Sequence, residues 1–546
     1  MRSATERGPL LVAVLYLAAA LHGLGAMDIV GDDEAREAGI VQDVVAGHWL
    51  WPRFNAELLP DKPLLYHWAA AIPCAVAGFS EAAVRLPSAL AGAALVGWTG
   101  WFGATLLGRR AGVVAAALLA TMPALFDHAR VARPDVLLVL LLSAALGVAF
   151  RWWRERRRRD ATLALVLLGL ATLAKGPVAV ALFGCTIGAF LAWQADLRRL
   201  RGLLTAPGVV AFVVLGLGWY AVALAGWGER FVHEHLVGRY VRNLAGGLAA
   251  GGPYSRKPLA YHLTFYPLHL PAIALPWTPL VALALWRAWR RRGFADPRLR
   301  FLLCWALAPV VVFTPAEWKL RYYLLPALPA LALLAAPLTV ELLAARPGGR
   351  DLPRAALAAL AAVVVVAGAV AVVHGGWAPT SLSDRRTAAA VVAAFPGGVG
   401  GLAVATGAAL GVVAIAVAWG AWALLVGLTA AAVGAWMLLG APAVERAVSR
   451  RDSLKAFADA VAARHPPPDP VVFYGETIRP IVVYLGRPVP RVDFVPADAA
   501  VIARGDAALR LARAGAPALP VLAAEGRVGN LSRGTVVLVE GPPPER

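Results

Sequence analysis

Four of the five lysines in this 546-residue chain stand at turns: Lys62 in Pro60-Asp61-Lys62-Pro63, Lys175 in Lys175-Gly176-Pro177, Lys257 in Arg256-Lys257-Pro258 and Lys319 in Trp318-Lys319-Leu320. The chain otherwise uses arginine wherever a plain positive charge will do, so these exceptions carry information. A compact ammonium binds phosphate as a point charge, and the chemistry they suggest is capture of an anion. Snorkelling to lipid headgroups is the plainer alternative. Two acidic positions accompany them. Asp33 stands in Gly31-Asp32-Asp33-Glu34-Ala35-Arg36, with Glu34 beside it and Arg36 three residues on, near enough on a helix to pair. Asp135 ends Ala129-Arg130-Val131-Ala132-Arg133-Pro134-Asp135. Such carboxylates suit general-base work, and an aspartate at a helix start also serves as a cap.

The elements that must position these groups are set by composition. Hydrophobic residues make up 60% of the chain and charged ones 16%, with a mean hydropathy of +0.66. That is more apolar surface than one water-soluble core can hide, so a soluble enzyme, a disordered scaffold and a secreted disulfide framework are all excluded. Runs of about 20 apolar residues centre near residues 18, 95, 119, 144, 167, 186, 216, 276, 308, 334, 365, 410 and 430, which predicts about thirteen transmembrane helices. The first run, from Leu10 to Ala26, lacks a small-residue cleavage site and reads as a retained span. Arginines fall in alternate loops, including the run from Arg151 to Arg159, so those loops are cytoplasmic by the positive-inside rule. The N-terminus is then cytoplasmic, and the tail beyond about residue 442 is outward. Most of the +19 net charge is thereby a topology signal, and no nucleic-acid partner is invoked. Cys74, Cys185 and Cys304 lie singly and indicate neither disulfides nor a thiolate metal site.

Two outward loops, 28–82 and 227–262, are long enough to form structure. The first is expected to hold an amphipathic surface helix, with a stripe of Ile40, Val41, Val44 and Val45 ended by Gly47, and a second helix after Pro63. The other, with its glycine-rich patch from Gly246 to Gly252, reads as a mobile lid. In the tail, 470–474, 481–485, 492–495 and 535–539 read as strands and 453–464 as a helix. The expected division is a membrane domain over 1–445 and a small outward α/β domain over 446–546.

Several motifs in register resemble one family. Asp33-Glu34-Ala35-Arg36, Gly47-His48-Trp49, Pro52-Arg53-Phe54-Asn55 and Asp61-Lys62-Pro63 are followed by Arg85-Leu86-Pro87-Ser88, Arg130 before Asp135, Lys175-Gly176-Pro177 and Glu234-His235-Leu236. Leu275-Pro276-Trp277 and Lys319-Leu320 with Tyr323-Leu324-Leu325-Pro326 complete the series, over about residues 1–345. Together they look like the GT-C class of polyprenyl-phosphate-sugar glycosyltransferases, near the aminoarabinose transferases of lipid A and the protein O-mannosyltransferases. The resemblance implies a GT-C fold with Asp33 and Asp135 as catalytic carboxylates. Arg36, Lys62, Lys319 and Tyr323 would border the lipid-linked phosphate, with Glu34, Arg130, Lys175, Arg256 and Lys257 as further candidate substrate contacts. A divalent ion at Asp61 is the one metal it suggests. The family's histidine partner is replaced here by Ser255-Arg256-Lys257-Pro258, with His262 a loose substitute.

The expected activity is transfer of a sugar from a polyprenyl-phosphate donor to a lipid or protein acceptor on the outer face of a bacterial inner membrane. The rival expectation is a flippase that moves the lipid-linked sugar without chemistry. It would place charges and paired interrupted helices near mid-bilayer, whereas the notable charges here gather at one face.

Overall fold

In hydrocarbon every backbone N–H must bond within its own segment or a closed barrel, so apolar runs of this length fold as helices. The computed structural model describes residues 7–243, 257–291, 293–344, 422–474, 476–492, 500–504, 521–523 and 536–539. In chain order the first nine α-helices are α1 (Arg7–Leu21), α2 (Asp32–Val45), α3 (Leu65–Ala77), α4 (Glu81–Leu107), α5 (Arg109–Ala120), α6 (Pro123–Ala129), α7 (Asp135–Glu155), α8 (Arg158–Lys175) and α9 (Val178–Trp193). Among the described residues five helical stretches are long and apolar enough to cross a membrane: Glu81–Leu107, Asp135–Glu155, Ala206–Gly238, Arg321–Ala344 and Ala423–Arg464. Two bent pairs, α5 with α6 at 64° and Leu259–Ile273 with Thr278–Arg290 at 105°, raise this to seven. The chain is a multi-pass helical membrane protein. The span expected near residue 276 falls on the break of the second bent pair. The spans expected near 365 and 410 lie outside the described residues, as does the glycine-rich patch from Gly246 to Gly252.

The first of the two long loops forms both expected helices. Helix α2 begins at Asp32 with Gly31 before it, and no side chain caps it, so Asp33 is left for other partners. Its apolar stripe, Ile40, Val41 and Val44, is fully buried. At Gly39 a Cβ would come within 2.5 Å of the Phe54 ring, so only glycine lets the following loop lie so close on α2.

Charged groups at this depth are held in pairs. Arg85 of α4 meets Glu34 through Nε at 2.7 Å and through a second nitrogen at 3.1 Å, while bonding the carbonyls of Leu24 and Met27. That fork pins the start of α2 to the membrane bundle. Arg130 donates to the carbonyls of Ala20, His22 and Gly23 around the C-terminal end of α1 and pairs with Glu445 in the helix Ala441–Asp452.

In the tail, β1 (Val471–Tyr474), β2 (Arg491–Val492), β3 (Ala500–Arg504), β4 (Val521–Ala523) and β5 (Val536–Val539) form one sheet in the order β2-β1-β3-β5-β4. Strand β1 runs parallel to β2 and β3, and β5 antiparallel to β3 and β4. The segment expected as a strand at 481–485 is instead a helix, Arg479–Leu485. Pro480 in its first turn and Gly486, left-handed at φ +64, are start and stop signals that outweigh the β propensity of Ile481, Val482 and Val483. Strands β3 and β4 had no counterpart among the expected elements.

Candidate active site

Asp33 lies in the first turn of α2, and its half-exposed carboxylate accepts from Arg133, in the turn before α7, and lies 3.7 Å from Arg36. Asp61 and Lys62 come from the loop ahead of α3. Asp61 meets Arg36 at 2.7 Å and Lys62 at 3.3 Å. That loop is held from outside by His235, whose Nδ1 lies 3.1 Å from the Pro60 carbonyl, and by Arg230, which donates to the Glu57 carbonyl. A third segment, Glu317 to Tyr323, joins them. These groups, with Lys257 and Tyr322, line one cavity of about 770 Å³. Five of its side chains are cationic, drawn from segments that run from Arg36 to Lys319, and the acids that face them are Asp33, Asp61 and Glu317.

Seven of the expected residues therefore share the cavity: Asp33, Arg36, Asp61, Lys62, Lys257, Lys319 and Tyr323. Asp135 and Lys175 do not line it. They form a buried ion pair, with the Lys175 ammonium 5.4 Å from the Tyr322 ring and 5.2 Å from the Tyr323 ring, so the pair lies behind these tyrosines. No cap bond is made by Asp135. Glu34 and Arg130 are also off the lining, each committed to the bracing contacts described above. Arg256 lies outside the described residues.

Sequence reasoning passed over Arg133, Tyr322, Glu317 and Glu37, and it read His67 as a packed or interfacial histidine. Arg133 bonds the Tyr322 hydroxyl at 3.0 Å and lies 4.5 Å from that ring's centre, so it links Asp33 to the tyrosine wall. Its signal was its place in the Arg-Val-Ala-Arg-Pro-Asp run. Glu37 follows Asp33 by four residues, one helical turn. Burial alone would raise its pKa, but Lys62, His67 and Arg36 together hold its carboxyl well below the usual carboxylate range. Lys319 is the opposite case. Its ammonium donates to the carbonyls of Phe313 and Thr314, and burial pushes its pKa down to about 8, with Glu317 opposing and Lys257 adding to the shift.

The donor set does not fit a metal ion. The two Asp61 oxygens are taken by Arg36 and Lys62, and among the described residues no three His, Cys, Asp or Glu side chains gather as metal ligands. His262 lies 3.5 Å from Glu317.

An array of five cations facing three carboxylates is a setting in which an anionic headgroup and a nucleophile can meet. Known proteins bear on this. Residues 61–220 match the family model described as dolichyl-phosphate-mannose-protein mannosyltransferase. The chain is 28% identical over 337 residues, 60% of its length, to the undecaprenyl phosphate-alpha-4-amino-4-deoxy-L-arabinose arabinosyl transferase of Yersinia enterocolitica, and covers 58% of that protein. The enzyme of the same name from Erwinia tasmaniensis is 28% identical over 377 residues, covering 68% of this chain and 66% of that one. The chain thus spans less than two thirds of either relative. In structure it is similar to the crystal structure of ArnT from Cupriavidus metallidurans bound to undecaprenyl phosphate, with a TM-score of 0.76, 22% identity, and 99% of this chain and 100% of that one covered. In sequence the chain is thus similar to the aminoarabinosyl transferases and, over residues 61–220, to the protein mannosyltransferase model, and in fold it is similar to ArnT.

Proposed function

We propose that this protein transfers a sugar from a polyprenyl-phosphate carrier, of the undecaprenyl class its relatives' names carry, to a lipid acceptor of the lipid A kind or to a protein acceptor. The observation that carries this reading is the meeting of Asp33 with Arg36, Lys62, Arg133 and Lys319 in one cavity. In the reaction the bond from the sugar's anomeric carbon to the carrier phosphate oxygen breaks, and the electron pair leaves with the phosphate. Cations fixed against that growing charge stabilise the transition state. The acceptor oxygen forms the new bond to the anomeric carbon. Where it is a hydroxyl, its proton passes to Asp33; where it is a phosphate oxygen, no proton moves and Asp33 orients the acceptor. Tyr323 walls the phosphate pocket, Lys257 reaches it from the later loop with Arg256 preceding it in sequence as a further candidate contact, and Asp135 acts from behind the tyrosines by fixing Lys175.

The same reading places about thirteen crossings in a bacterial inner membrane, the N-terminus in the cytoplasm, and the membrane domain (1–445) and α/β tail (446–546) with the cavity on the periplasmic side. The test is incubation of the purified protein in liposomes with a labelled undecaprenyl-phosphate sugar and an outer-membrane lipid or protein extract. Release of free undecaprenyl phosphate with label on the acceptor is expected. Donor that crosses the bilayer intact, with none released, would establish the flippase instead.

Lys319 adds a pH signature. Its lowered pKa means that the ammonium is present below about pH 8 and lost above it. The kcat/KM for the anionic donor, which reports the free enzyme, is expected to fall above that point. Lys319→Arg, with a guanidinium that stays charged, is expected to carry the plateau to about pH 10. An identical alkaline limb in both proteins would assign it to another group.

A further inference from the structure

Behind the cavity lies a carboxylate that the transfer chemistry does not use. Arg36, Asp61, Lys62 and Glu37 close a ring of alternating charge: Arg36 to Asp61 at 2.7 Å, Asp61 to Lys62 at 3.3 Å, Lys62 to Glu37 at 2.5 Å and Glu37 back to Arg36 at 3.4 Å. Three members line the cavity and Glu37 does not. It is fully buried, and its Oε2 meets the Nε2 of His67 at 2.7 Å. His67 is fully buried as well, and among the described residues its Nδ1 has no hydrogen-bond partner. An imidazole held out of water with one nitrogen unsatisfied costs free energy, so the fold retains it for the bond that it makes to Glu37.

We propose that Glu37, oriented by His67, is a positioning residue that holds Lys62 and Arg36 in place for the carrier phosphate. This rests on the reading that those cations bind a phosphate. A lysine has three donors on a flexible stem. Glu37 and Asp61 take two of those of Lys62, which fixes the stem and leaves the third for a phosphate oxygen. The entropy of ordering the side chain is then lost on folding and not on binding. Asp61 alone would do this poorly, because it is partly open to the cavity and shared with Arg36. Glu37 is dry, and it projects from α2 one turn after Asp33, so a single helix sets both the carboxylate facing the acceptor and the cation facing the phosphate.

The test uses the full chain in detergent micelles, with undecaprenyl phosphate as the titrated probe and donor turnover as a second readout. Glu37→Gln keeps the shape and removes the charge. It is expected to weaken probe binding about tenfold, the scale of one charge-assisted hydrogen bond, and to raise the donor KM with little change in kcat. In a Lys62→Met background the same substitution is expected to cost markedly less, about twofold, because only its longer contact with Arg36 remains. His67→Phe, which keeps a ring in the pocket, is expected to give a smaller loss with the same dependence on Lys62, and it decides the matter should Glu37→Gln fail to fold. Wild-type affinity in both single variants, or an equal factor with and without Lys62, would overturn the proposal while leaving the phosphate site standing. Wild-type affinity in Lys62→Met would instead remove the phosphate site, and this inference with it.

Discussion

With a hydroxyl acceptor, Asp33→Asn is expected to lower kcat by about 10²- to 10⁴-fold, the range for loss of a general base, without raising the KM for the donor. The two parts of that expectation have separate causes. The Asp33 carboxylate is half exposed to the cavity and is set between Arg133 and Arg36. An amide there cannot take a proton from an acceptor hydroxyl, so the chemical step slows. It also no longer offsets the two guanidiniums, which leaves the cavity more positive and so no weaker for an anion. A purely structural aspartate would give another pattern, with yield and thermal stability falling and the kinetics of the surviving protein near wild type. Steady-state kinetics on Asp33→Asn, at equal folded protein by size exclusion, separates the cases. An unchanged kcat with a raised KM would remove Asp33 from the chemistry.

Much of this site could be read from the chain before any coordinates, because its parts obey rules that sequence displays. Lysines placed where topology does not ask for cations marked Lys62, Lys257 and Lys319, and a carboxylate beside an arginine at a helix start marked Asp33 and Arg36. What could not be read was which charges face each other. Glu34 and Asp33 are adjacent in sequence, yet the 100° step between successive helical residues turns one to Arg85 and the other to the cavity. Arg130 and Arg133 divide in the same way, one bracing the end of α1 and the other meeting Asp33. Asp135 and Lys175 are distant in sequence, and only the packing of α7 against α8 makes them a pair. The fold shows the same limit. Apolar runs announced the helices, but the 105° bend near residue 276 and the helix at 481–485 depend on local prolines and glycines that a hydropathy average dilutes.

Removal of the tail from residue 445 is expected to abolish activity and to leave little folded protein, although the tail reads in sequence as a separable domain. Its apolar residues Phe457, Phe473, Ile481 and Val482 share one buried core with Ile40, Val41 and Val44 of α2 and with Phe54. Polar contacts tie the same surfaces: Gln42 donates to the Val483 carbonyl at 2.9 Å, Asn55 exchanges two bonds with Val489 at 2.8 and 2.7 Å, and Lys455 meets Glu81 at 2.8 Å. Gln42 lies nine residues after Asp33, half a turn round a helix of about 3.6 residues per turn, so the tail backs the face of α2 opposite the cavity. Each large apolar side chain stripped of cover costs about 1.5–3 kcal/mol, and several lost together match the whole stability of an ordinary domain, about 5–15 kcal/mol. A milder change grades the effect. Ile481→Ala, at a fully buried position, is expected to cost about 2–5 kcal/mol and to speed amide exchange along α2 before it affects the membrane helices. A truncated chain that remained monodisperse and fully active would show that the bundle alone holds α2, and that the tail serves only to meet the acceptor.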